Sequence, residues 1–199
     1  MNRKTLDRLL ASGGVVIAAV LLVAGVLLTW AHSYVHDQVH SQLAAEKIYF
    51  PPKGNEALTS LPAADRAAME QYAGQQLVTG AQAKTWADHF IAVHLDEMAG
   101  GQTYSQLSAK AIANPSDTKL AGTVATVFKG ETLRSMLLNA YGWWKVSQIT
   151  YIISLAAFAL GTLSFLAGLF GFASLRHDRK LATAKAPVIE QITGHQANA

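Results

Sequence analysis

Three histidines form the sharpest candidate for metal chemistry. His32, His36 and His40 stand at i, i+4 and i+8. Two imidazoles four residues apart on a helix project from one face and can chelate zinc, copper or nickel. Asp37, Asp96 or Glu97 would complete such a site. The outer two histidines would lie about 12 Å apart along a helix axis, so all three cannot hold one ion without distortion. The plainer reading, which we favour, is interfacial histidines that hydrogen-bond across helices or stay solvated. His89 and His94 are five apart and fall on different helix faces. Asp88-His89 is a carboxylate–imidazole neighbour pair, but no Gly-x-Ser-x-Gly elbow supplies a nucleophile, so satisfied surface or core histidines are the plainer reading here too. Arg134 is a lone arginine on an otherwise apolar face. It either snorkels to lipid headgroups or holds an anion or an internal carboxylate, and snorkelling or an internal pair is favoured.

No phosphate loop, dinucleotide fingerprint or HExxH motif is present, and no cofactor is expected. The chain has no cysteine, which excludes disulfides, thiolate metal sites and thiol catalysis. A net charge of +3 over 199 residues is too small to imply nucleic acid. Hydrophobic residues make up 51% and charged residues only 15%, below the roughly 25% of an ordinary soluble domain.

The charges are also unevenly placed. Leu9–His36 and Val146–Leu175 contain no Asp, Glu, Lys or Arg. Each run exceeds the roughly 20 residues that cross a bilayer as helix, and a backbone in hydrocarbon must satisfy its own hydrogen bonds. The first run is longer than a signal-peptide core, and no small-x-small cleavage site follows it, so an uncleaved anchor is expected. The chain before the first run carries Arg3, Lys4 and Arg8 against Asp7. The segment after Phe172 carries Arg176, Arg179, Lys180 and Lys185 against Asp178 and Glu190. Between the runs, nine basic residues face ten acidic ones. The positive-inside rule then predicts a multi-pass plasma-membrane protein with both termini cytoplasmic. Trp30, Tyr34, Tyr141, Trp143, Trp144 and Tyr151 would form an aromatic belt at the outer interface.

The expected fold class is an all-α membrane protein, two antiparallel transmembrane helices with a helical extracytoplasmic domain between them. The boundaries are a basic N-terminus over 1–12, a first span over 13–34, the outer domain over 35–143, a second span over 144–173 and a largely disordered tail over 174–199. In the outer domain Pro51-Pro52 should break the first helix. A helix capped by Ser60 should start near Pro62 and run through the AADRAAMEQYAGQQL segment. Capping boxes at Thr79 and Thr103 open two more, Gly100-Gly101 closes the first of these, and Asn114-Pro115 stops the second. Trp86, Phe90 and Val93 give an apolar line with period 3.6. From Asp117 one helix of about 55 residues, on the order of 80 Å, would flow into the second span if Gly130 does not break it.

The most specific pattern lies in the spans. Ser154, Ala157, Gly161, Ser164, Gly168 and Gly171 step by three and four, and Gly14, Ala18, Gly25 and Thr29 step by four, seven and four. Small faces let membrane helices approach closely. They are expected to pack on each other within the chain, the alternative being a partner membrane protein or self-association.

The order of features resembles a family of small two-span actinobacterial membrane proteins of unknown function. The resemblance rests on Ser41-Gln42-Leu43 with Glu46-Lys47-Ile48, on Gly80-Ala81-Gln82-Ala83-Lys84 through His89 with His94 beyond, on Gly100-Gly101-Gln102-Thr103-Tyr104, and on Leu133-Arg134-Ser135. Similar sequences sometimes carry a ring-opening dioxygenase name. That chemistry needs two histidines and a carboxylate converging in a soluble pocket, a pattern not seen here, and the resemblance implies no catalytic residue. The expectation is therefore a non-enzymatic accessory or scaffolding partner of a cell-envelope or respiratory membrane complex. Its partners are the lipid bilayer and another membrane protein or a second copy. The alternative is an extracytoplasmic sensor or binding module, marked by a polar pocket near His32, His36 and Arg134.

Overall fold

The computed structural model describes the backbone from Arg3 to Gln196, with the side chains of Thr5 and of residues 7–176. The chain is all-helical. In order the elements are α1 (Arg3–Ala45), α2 (Glu56–Thr59), α3 (Ala63–Glu70), α4 (Gly80–Trp86), a π-turn (Ala87–Ile91), α5 (Ala92–Ala99), α6 (Tyr104–Ala113) and α7 (Thr118–Gln196). Among the described residues there is no strand, only an isolated antiparallel bridge between Tyr49 and Gln76. Two helical stretches, Asp7–Ala45 and Thr118–Arg176, are long and apolar enough to cross a membrane. Only 17% and 22% of their most apolar windows is buried, unlike the core helix of a soluble protein, which hides its apolar surface.

The chain divides into two compact units, one of residues 1–30 with 150–199 and one of residues 31–149. In the first, α1 and α7 meet through small residues. Ala18 and Ser154 are fully buried, with Ala11 and Ala157 nearly so. A Cβ added at Gly14 would sit 3.6 Å from the Ser164 carbonyl oxygen and 3.8 Å from the Gly168 Cα. One added at Gly168 would sit 2.8 Å from Val15 Cγ2 and 3.2 Å from the Ala11 carbonyl. Gly171 lies against Ala11, Gly161 against Leu21 and Leu22, and Gly25 against the Phe158 ring. Thr29 hydrogen-bonds back to the Gly25 carbonyl at 2.8 Å. On the stretch of α1 in this unit the buried positions are Ala11, Ala18 and Gly25, a strict step of seven, the repeat of a left-handed helix pair. Ala11 belongs to that face and lies one step outside the stripe read from sequence. The larger side chains, such as Val16, Val20, Leu160 and Phe170, point outward and are exposed.

The second unit has its own core. Val39 and Leu43 of α1, Phe50, Leu58 of α2, Met69 of α3, Leu77, and Val127 and Leu137 of α7 close around one line of the central helix, the continuous stretch of α4, the π-turn and α5. Local chemistry sets its elements. The Asn55 side chain caps α2 through the Ala57 N–H at 2.9 Å. Capping boxes at Thr79 with Gln82 and at Thr103 with Gln106 open α4 and α6. Gly100 ends α5 in the left-handed conformation, φ +58°, and the Asp117 carboxylate caps α7 through the Leu120 N–H at 2.9 Å.

Three features differ from the sequence reading. The helix expected to run from Pro62 through the AADRAAMEQYAGQQL segment stops at Glu70. Its N-cap is Pro62, and Ser60 instead closes α2. After the turn at Gly74 (φ +74°) the chain is extended, and Leu77 N–H and Phe50 N–H bond to the Ile48 and Gln75 carbonyls, each at 2.9 Å. Those bonds satisfy backbone groups that further helix would have satisfied internally. Second, the central helix is interrupted by the π-turn. Its buried line is Ala83, Ala87, Ile91, Leu95 and Ala99, with Trp86, Phe90 and Val93 packed beside it. Steps of four drift about 160° around an α-helix over this span, and one extra residue in a wide turn cuts the drift to about 60°. Third, the tail expected to be disordered from residue 174 is helical backbone as far as Gln196, in keeping with its alanines, lysines and arginines, which are good helix formers. The last three residues of that tail, and all its side chains from 177 on, lie outside the described residues. Gly130 sits within α7, which runs through it without a break.

Candidate functional site

The π-turn gathers one cluster of charged groups of the second unit. Its wide turn leaves the Ala87 carbonyl accepting from Ala92 N–H and also from Arg134 Nε of α7 at 3.2 Å. Arg134 Nη2 donates to Asp88 Oδ1 at 3.1 Å, and Nη1 lies 3.9 Å from Glu131. The other Asp88 oxygen accepts from Lys84, whose ammonium also lies 5.7 Å from the Tyr141 ring centroid, within cation–π range. Burial on its own raises the Asp88 pKa. The hydrogen bonds and charges of Lys84 and Arg134 outweigh that and hold the carboxyl below its ordinary value. Arg134 therefore sits in an internal ion pair.

The neighbouring histidines follow the same pattern. His89 Nδ1 lies 2.8 Å from the Asp65 carboxylate of α3, so its carboxylate partner is Asp65 and the adjacent Asp88 is engaged elsewhere. His94 Nδ1–H donates to the Phe90 carbonyl at 2.7 Å. Its ring closes a ladder of aromatic contacts from Tyr72 through Phe50, Trp86 and Phe90, with centroids 4.5–5.2 Å apart. Chemically, the cluster neutralises its own charges and fastens the π-turn and α3 to α7. An ionised Asp88 with two cationic donors is a poor proton acceptor.

The histidine stripe on α1 separates on packing. His32 Nδ1–H donates to the Ser147 carbonyl at 2.8 Å and lies 3.0 Å from the Ser147 hydroxyl. His36 is half-buried, its ring 5.7 Å from that of His32, while His40 is exposed. The buried positions that follow His32 are Val39 and Leu43. Steps of four rotate about 40° per step around a helix, which carries His40 off the face His32 occupies. Among the described residues no group of three or more His, Cys, Asp or Glu gathers to hold a metal.

A groove of about 400 Å³ lies between α1 and α7 of this unit. Val39, Leu43, Ile48, Leu133, Met136 and Trp143 give it an apolar lining, with Gln42, Glu46 and Asn139 as polar members. Leu133, Met136 and Trp143 are 43%, 65% and 56% exposed. None of His32, His36 and Arg134 lines it. The sequence signal for this face was present as Leu133, Met136, Ala140 and Trp143 at steps of three, four and three. Those positions read as ordinary core of a long helix, yet the fold leaves Leu133, Met136 and Trp143 uncovered while Ala140 packs against the core. No known family model, curated protein or solved structure matches this chain.

Proposed function

We propose that this chain is a non-enzymatic integral membrane protein of the plasma membrane. In this reading α1 and α7 cross the bilayer as an antiparallel hairpin with both termini cytoplasmic. The unit of residues 31–149 then stands outside as a docking module for another membrane protein of an envelope or respiratory complex. One observation carries it. The charged groups around the π-turn are paired, Asp88 with Lys84 and Arg134 and His89 with Asp65, whereas the apolar groove at Leu133, Met136 and Trp143 stays open to solvent. An exposed apolar patch rimmed by polar residues is a mark of an interaction surface.

The test is photo-crosslinking from position 136 in native membranes. The expected product joins this chain to one membrane protein of reproducible mass, and Met136→Glu removes it without lowering the melting temperature. A product of the chain with itself replaces the accessory reading by self-association. No product, with a clean monomer in mild detergent, overturns it. The same groove supports a second reading as a binding module, since its volume suits a small amphiphile. That reading would show as a co-purifying small molecule lost in Met136→Glu.

A further inference from the structure

The second compact element of interest lies within the unit of residues 1–30 and 150–199, where a cleft of about 460 Å³ opens between the beginning of α1 and residues 172–176 of α7. Its lining is of two kinds. Arg8, Arg176 and Thr5 supply guanidinium and hydroxyl donors, and Leu9, Phe172 and Leu175 supply an apolar wall. Ser12, also on the wall, already donates its hydroxyl to the Leu9 carbonyl at 3.1 Å. Among the described residues no acidic side chain lines this cleft. Asp7 belongs to a separate groove on the Gly14 and Gly168 side of α1.

The two arginines have a particular place in the sequence. Arg8 is the last charged residue before the uncharged run that begins at Leu9, and Arg176 is the first after the run that ends at Leu175. Each run is therefore flanked on one side by an arginine, and both arginines line one cleft. A guanidinium presents planar, paired donors that match two oxygens of one phosphate. Two of them beside an apolar wall, at the level where hydrocarbon gives way to headgroups, match a phosphodiester joined to acyl chains.

We propose that this cleft binds an anionic phospholipid, its phosphate held by Arg8 and Arg176 and one acyl chain lying along Leu9, Phe172 and Leu175. The proposal rests on the reading that α1 and α7 span the bilayer. The cytoplasmic leaflet, where that reading puts the arginines, presents a negative surface potential from its anionic lipid. Isolated arginines at helix ends snorkel to any headgroup. A cleft that brings two of them together differs by being saturable and by discriminating charge.

The full chain, delipidated in mild detergent, is titrated with phosphatidylglycerol, with phosphatidylcholine and with inorganic phosphate, followed by native mass spectrometry and thermal melting. The expected result is one phosphatidylglycerol retained per chain with a raised melting temperature. Phosphatidylcholine should bind at least tenfold more weakly, and inorganic phosphate should give no shift. The double variant Arg8→Gln/Arg176→Gln should lose the lipid at least tenfold. Lys53→Gln/Lys119→Gln, with the same change in net charge on exposed residues of the other unit, should keep it. Equal retention of the two lipids by the unmodified chain overturns the proposal whether or not the double variant folds, and so does undiminished retention by a folded double variant. A shift with inorganic phosphate equal to that with lipid assigns the site to a free anion and overturns the lipid. Carbonate washing of native membranes separates the two readings. Release of the chain defeats the membrane reading and the lipid site with it, whereas a retained chain without lipid selectivity defeats the lipid site alone.

Discussion

Gly80 opens α4, and its missing side chain is filled by a tryptophan. A Cβ built there would lie 2.4 Å from Trp144 Cβ, 2.7 Å from Cγ and 3.0 Å from Cδ2. Carbon atoms in contact sit about 3.5–4.0 Å apart, so Gly80→Ala requires a shift of at least about 1 Å. The obstructing atoms are the root of an indole, which cannot swing aside as a chain tip can. Overpacking of this kind costs about 1–3 kcal/mol. Against it stands the helix preference of alanine over glycine, at most about 1 kcal/mol and less in a first turn. The net expectation is a loss of about 1–2 kcal/mol, or about 2–8 °C in melting temperature for a chain of this size. Gly122 of α7 is the comparison, because nothing lies within 4 Å of its added Cβ. Gly122→Ala should stabilise by about 0.4–1 kcal/mol. Differential scanning fluorimetry of the two variants in one detergent reads opposite signs. If Gly80→Ala raises the melting temperature as Gly122→Ala does, the seat of Trp144 against the start of α4 is refuted.

Removing Arg134 and Asp88 singly and together to alanine should give a coupling of about 1 kcal/mol in a double-mutant cycle, between an exposed ion pair and a buried charged hydrogen bond. A coupling near zero would mean that the pair does not hold the π-turn. Because Lys84 and Arg134 lower the Asp88 pKa in the folded chain, the stability it contributes is complete above the unfolded carboxyl value and is lost as pH falls through the folded one. The melting-temperature gap between the natural chain and Asp88→Asn should therefore be full above about pH 4 and close below it. A gap that widens in acid contradicts the assignment. Gly168→Leu should destabilise by at least about 2 kcal/mol, since even a Cβ meets Val15 and the Ala11 carbonyl. Ala159→Leu, at an exposed position of the same helix, should leave melting unchanged, and equal effects of the two would show that the small face is not a packing face.

Much of the architecture was legible in the residues because it is local. The capping boxes at Thr79 and Thr103, the stop at Gly100 and the uncharged runs after Arg8 and before Arg176 each act within a few neighbours or by plain hydrophobicity. Helix propensity and the aqueous cost of apolar surface need no knowledge of the fold. The small stripe from Ser154 to Gly171 was also legible, because a helix repeats its faces with a fixed period, although Ala11 was missed for want of a matching run beside it.

Other features depend on what meets what. Nothing in ADHFI announces a π-turn. It arises where a line of residues at steps of four must keep facing one core, and where an arginine 47 positions away donates to the carbonyl that the wide turn presents. Asp88 neighbours His89 in sequence yet pairs with Lys84 and Arg134, while His89 reaches Asp65 of α3. Of three evenly spaced histidines, packing takes His32 to Ser147 and leaves His40 exposed. Sequence alone determined where several helices begin and end and which stretches are apolar enough for a membrane, because those are properties of short stretches. Only the tertiary structure decided which charges neutralise each other, which histidine is engaged and which two arginines share a cleft, because contacts between distant residues are set by packing.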